Sequence, residues 1–249
     1  SCMCMIAVTQ SPHLRIPLGG FLVEQLLTLL GSSACIYEGL LLLELFQRNL
    51  NKYLTEIKDS KVSLMITFNN LCVSNFDSLL EQILVWREKY NDKDATEYGN
   101  INQPIPLQRI QIDTPYLKEP PHYDMLILPK EEFLPHMINH LDFMYAHNDN
   151  SDSNKFNDLE IAKFKRVVDY FETTLKDDVY LSKGRSDFYH FFTQHDKRRD
   201  TDFLKAFPEY EKFWNLCKEF SVGDNRKRRI VERRKKLRER IRVRREKKL

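Results

Sequence analysis

Two apolar runs that end abruptly in polar residues constrain this chain more than anything else in its sequence. The first, VSLMITFNNLCV at residues 62–73, turns polar at Asn69 and Asn70. The second opens the stretch RIQIDTPYLKEPPHYDMLIL at residues 109–128 and turns polar at Asp113 to Tyr116. Each run is short, carries β-branched residues and gives way to a stretch of helical spacing, which is how βα units of a parallel sheet read. The polar stops then fall at the carboxyl ends of two strands, where α/β folds bind their ligands. Asn69, Asn70, Asp113 and Tyr116 are therefore the candidate site residues.

With 249 residues, 42% of them hydrophobic, the chain can bury the core of one or two domains. Its five cysteines, Cys2, Cys4, Cys35, Cys72 and Cys217, are odd in number and irregularly spaced, and no secretory n-region precedes them. That usage fits a reducing compartment, so the cytoplasm is expected. The most apolar stretch, residues 18–46, is broken by Glu24, Glu38 and Glu44, and no membrane span is expected.

The net charge of +3 hides a split: residues 226–249 carry fifteen Lys or Arg against three Glu, or +12, and the rest of the chain carries −9. Glu232, Glu239 and Glu246 recur every seven residues, and Ile230, Leu237 and Ile241 make a thin apolar stripe, so the tail reads as a highly charged helix. Such a tail either stays solvated or docks on nucleic acid or an acidic partner.

Four regions follow. Residues 1–38 hold a strand at 4–9, a loop at 11–20 and a short helix at 21–30. Residues 39–150 alternate helix 40–58, strand 62–68, helix 75–90, a polar loop with Pro104 and Pro106, strand 108–113, a Pro-rich loop and helix 130–147, which Pro135 opens or bends. The Asn/Asp/Ser run at 148–154 reads as a linker into a helical region, 151–221, and residues 222–249 form the basic tail.

The run GLLLLELFQRNLNKYLTEIKDSKVSLMITFNNLCVSNFDSLLEQILVWREKY at 39–90, the loop PYLKEPPHYDMLILP at 115–129 and the stretch DFYHFFTQHDKRRDTDFLKAFPEYEKFW at 187–214 resemble the later part of a radical S-adenosylmethionine (radical SAM) barrel and the C-terminal helices of its twitch-type members in phages and bacteria. The resemblance covers residues 39–220. It implies an α/β fold, a partial (β/α) parallel barrel of the TIM-barrel kind followed by an α-helical C-terminal region. It also implies S-adenosylmethionine and a [4Fe-4S] cluster as cofactors, and radical chemistry on a peptide or small-molecule substrate. Asn69 and Asn70 would then face the cofactor, and Asp113 and Tyr116 the substrate. The family's three cysteines at C-x3-C-x2-C are absent, so the expected chain has the family's fold without its cluster chemistry.

Other constellations keep two readings. Asn69 and Asn70 suit an Asx turn as well as a ligand contact, and Lys118, Glu119, His122 and Tyr123 suit a proline-stiffened surface loop as well as a barrel mouth. His136, His140 and His147 share a helix face but lack the flanking residues of a zinc motif. His195 to Arg199, after the aromatics at 188–192, read either as a helix C-terminus or as a phosphate or nucleic-acid site. Cys72 and Cys217 read as buried small hydrophobes.

Overall fold

The computed structural model describes residues 5–10, 33–57, 60–92, 96–98 and 104–222, with side chains from Leu45 onward except at 97–98 and 104–105. The expected loop at 11–20, the helix at 21–30 and the tail beyond residue 222 lie outside the described residues. The chain runs β1 (Met5–Gln10), α1 (Ser33–Glu56), β2 (Val62–Thr67), α2 (Phe76–Tyr90), β3 (Thr96–Tyr98), β4 (Pro104–Pro106), β5 (Ile110–Asp113), α3 (Lys130–Ala146), α4 (Asp158–Thr173), α5 (Asp178–Arg199) and α6 (Phe203–Ala206). Residues 211–222 are helical, and short 3-10 turns lie at Pro121–Tyr123, Met125–Ile127 and Pro208–Tyr210.

One three-stranded sheet has the order β1-β2-β5. β2 and β5 are parallel, with Val62 opposite Ile110 and Leu64 opposite Ile112, and β1 joins β2 antiparallel. The βα reading of residues 62–113 therefore corresponds to a β2–α2–β5 crossover. Within the polar loop between α2 and β5, where a plain loop was expected, β3 and β4 form a separate antiparallel pair. Pro104 and Pro106 bound β4, and such a strand stays short because proline has no amide hydrogen for the ladder. Among the described residues the parallel strands are β2 and β5, and these strands close no barrel. Among the described residues after β5 no further named strand is present to widen the sheet.

Both parallel strands alternate. Val62, Leu64, Ile66, Ile110 and Ile112 are buried, whereas Ser63, Met65, Thr67, Gln111 and Asp113 are half-buried. The buried face meets α2 and α4 through three phenylalanines: Phe68 lies 5.2 Å from Phe76 and 5.6 Å from Phe164, and the latter two are 5.0 Å apart. Edge-on and tilted pairs of this kind add about 0.5–1.5 kcal/mol each beyond the area they bury.

Arg109 fixes the entry to β5. Its buried guanidinium donates to the carbonyls of Leu54, Ile57, Ser60 and Tyr90 and to Ser60 Oγ at 2.8–3.1 Å. Leu54 and Ile57 end α1, so a cation meets carbonyls that have no helical partner and carry the negative end of the helix dipole.

The run at 148–154 is packed between α3 and α4. Asn148 and Phe156 form a parallel bridge, Phe156 N donates to His147 O at 2.9 Å, and Ser153, Asn154 and Phe156 are buried. Asn157 opens α4 with a capping box, its Oδ1 accepting from Glu160 N at 3.0 Å. Pro135 sits in the sixth position of α3, inside the helix.

Candidate functional site

The carboxyl ends of β2 and β5 continue past the named strands. Phe68 N donates to Pro115 O at 2.7 Å and Leu117 N to Phe68 O at 2.9 Å, which sets Tyr116 beside Phe68. Both candidate segments therefore meet at one edge. Asn69 Oδ1 accepts from Leu71 N at 2.8 Å, the expected Asx turn. Asn70 Nδ2 donates to His122 O at 2.9 Å, Asn70 N donates to Tyr123 O at 3.2 Å, and Asn70 O accepts from the Tyr210 hydroxyl at 2.7 Å. Asn70 Oδ1 and Thr114 Oγ1 are buried without hydrogen-bond partners. Asparagine at these two positions thus folds the strand end onto the loop after β5.

That loop is shaped by a cis Glu119–Pro120 bond and two consecutive 3-10 turns. Asp124 joins the turns and accepts from Leu126 N at 3.0 Å. Its carboxylate is fully buried and also accepts from the hydroxyls of Tyr180 at 2.7 Å and Tyr170 at 3.1 Å. Tyr180 Oη also lies 3.2 Å from Lys118 O. Burial, then the adjacent carboxylate, push both phenols well above the usual tyrosine range. They stay protonated and serve as donors.

Tyr116 lies against Tyr170 with ring centroids 4.5 Å apart, and Lys118 Nζ sits 5.2 Å and 5.1 Å from the two ring centres. An ammonium over two rings is held by their quadrupoles for about 0.5–1 kcal/mol at an exposed site. Asp113 pairs with Lys163 at 3.2 Å, both partly exposed, a contact that contributes little. The edge therefore joins a buried carboxylate under two phenols to a lysine on an aromatic pair.

Of the four candidates, Asp113 and Tyr116 are half-buried at this edge, and Asn69 and Asn70 lie buried beneath it. Asp124, Tyr170 and Tyr180 were missed. The Asp that interrupts PPHYDMLIL was a signal for a turn cap, and nothing tied it to the two tyrosines. The histidines of α3 do not converge: His140 is buried with Nε2 2.8 Å from Val73 O, His147 Nδ1 lies 2.9 Å from Phe143 O, and His136 is exposed. Lys197 to Arg199 fill the last turn of α5, which ends at Asp200 in the left-handed region with φ 53°. Two shallow grooves of about 410 and 400 Å3 lie elsewhere, one at Leu84, Glu88 and Asn154, the other at Asp178, Arg185 and Phe220.

Compared with known proteins, the sequence matches no family model and no curated protein, and no solved structure matches the fold.

Proposed function

We propose that the chain is a radical SAM-related α/β protein in which the half-buried face of β2 and β5 is the ligand side of a partial barrel. The alternation in these strands carries the reading. A sheet covered on both faces reads apolar throughout, whereas a barrel wall packs helices on one side and turns the other inward. Here Val62, Leu64, Ile66, Ile110 and Ile112 lie on the buried face, and Ser63, Thr67, Gln111 and Asp113 offer hydroxyls, an amide and a carboxylate on the other. Those groups suit a ribose or an amino-acid moiety. Asn69 and Asn70 would stand on the cofactor side, with Asn70 Oδ1 still to be matched, and Asp113 and Tyr116 would meet a peptide or small-molecule substrate.

The residues do not fit an iron–sulfur cluster. C-x3-C-x2-C is absent, and the two cysteines whose side chains are described, Cys72 and Cys217, are both fully buried. No group of three or more metal-ligating side chains converges among the described residues. No radical step is assigned to this chain; its residues bind, orient and exclude water. Anaerobic reconstitution of the full chain, followed by iron analysis and calorimetry with S-adenosylhomocysteine, tests this reading. Saturable adenosyl binding without a stoichiometric cluster is expected, and no binding at millimolar ligand removes the family reading.

The charge split favours a second reading, a non-catalytic scaffold whose residues 226–249 dock on nucleic acid or an acidic partner. Deleting those residues should then abolish retention on heparin at low salt. Equal retention with and without them contradicts it.

A further inference from the structure

A row of rings runs along the outer side of α5. His122, in the turn Pro121–Tyr123, stacks on Phe191 with centroids 5.0 Å apart and planes at 25°. Phe191 in turn faces His195, one helical turn on, at 6.4 Å and 22°. Four-residue spacing puts Phe191, His195 and Arg199 on one helix face. Phe191 is 39% exposed, and Lys197, Arg198 and Arg199 are exposed.

The row is electrically graded. Asp187 lies near His122 at one end; at the other Arg199 lies near His195, whose Nδ1 is also 3.8 Å from Asp196 Oδ1. Burial holds both imidazoles below their usual pKa, so near neutral pH they act as flat aromatic faces. Neutral rings that end in guanidinium and ammonium groups complement a base joined to a phosphate, since bases stack on aromatics and phosphates seek Arg and Lys. An acidic peptide would use the cations and leave the rings idle.

We propose that the His122–Phe191–His195 row with Lys197, Arg198 and Arg199 binds single-stranded nucleic acid, bases on the rings and phosphates at the end of α5. Binding of a fluorescein-labelled 12-mer oligoadenylate to the full chain, tail included, tests it by anisotropy. Phe191→Ala should weaken binding about 5- to 150-fold, as expected for the loss of stacking with a base. The salt dependence should change little. Lys197→Gln/Arg198→Gln/Arg199→Gln should flatten that salt dependence, and His195→Ala should act in the same direction as Phe191→Ala. A 12-mer of abasic residues should bind wild type and Phe191→Ala alike. Unchanged oligoadenylate affinity in Phe191→Ala and His195→Ala, or equal weakening on the abasic strand or on polyglutamate, overturns the proposal.

Discussion

Arg87 and Glu160 form a buried ion pair at 2.6 Å that joins three elements: the same Glu160 Oε1 accepts from Ile112 N at 2.9 Å, while Arg87 Nε donates to Ile110 O at 2.9 Å and Nη1 to Lys155 O at 2.8 Å. Helix α2, strand β5 and the start of α4 are thereby locked in register. Burial pulls the guanidinium's pKa down and Glu160 opposes the shift. The charges are kept because each satisfies backbone groups as well as its partner.

Arg87→Met is expected to cost about 3–5 kcal/mol in urea unfolding, because it strands a buried carboxylate. Adding Glu160→Leu should recover only part of that loss, since Ile112 N loses its acceptor. A single variant within about 0.5 kcal/mol of wild type, the range of an ordinary surface change, contradicts this role.

The Asp124 cluster predicts an alkaline limit. In the unfolded chain Tyr170 and Tyr180 titrate near pH 10; in the folded chain they titrate higher. Below pH 10 both states hold the protons and stability is flat. Above it the unfolded chain releases protons that the folded chain retains, so stability falls as pH rises. Tyr170→Phe/Tyr180→Phe should have lower stability at pH 8 and a shallower decline from pH 10 to 11. Parallel curves for variant and wild type would show that the phenols do not set the limit.

Gly184 sits where α5 crosses the loop after β5. A Cβ there would lie 2.6 Å from Ile127 Cγ2 and 3.4 Å from Pro121 O. The branch methyl is fixed to a buried residue, so overpacking at about 1–3 kcal/mol outweighs the helix-propensity gain of about 1 kcal/mol. Gly184→Ala should lower the melting temperature, and Ile127→Leu, which removes that methyl, should restore part of it. Additive effects in this double-mutant cycle would place the clash elsewhere.

Cys217 is fully buried, and burial pushes its thiol well above the usual range despite Arg185. Cys72 is equally buried. Iodoacetamide at pH 8, read by peptide mass mapping, should leave both unmodified in the native protein and label both in urea. Fast native labelling of either one would show a local opening at that site.

The sequence disclosed what local pattern controls. The short apolar runs with β-branched residues located β2 and β5, helical spacing located α2 and α3 to within a few residues, and the basic run marked the end of α5. The packed run at 148–154 was hidden because Asn, Asp and Ser favour loops whether or not the loop is covered. Asp124 was hidden for another reason: Tyr170 and Tyr180 lie 46 and 56 residues further along, on helices whose register depends on the whole core. The pair β3–β4 was hidden because two prolines in a three-residue strand carry no strand pattern.

The most direct measurement of the central claim is the methyl spectrum of 13C-methionine-labelled protein titrated with S-adenosylhomocysteine. Met65 lies on the half-buried face of β2, and Met125, Met137 and Met144 are fully buried references. A saturable shift of the Met65 methyl is expected, with the three buried methyls unmoved. A ligand that moves the buried methyls and leaves Met65 still, or that moves none of them at saturation, contradicts it.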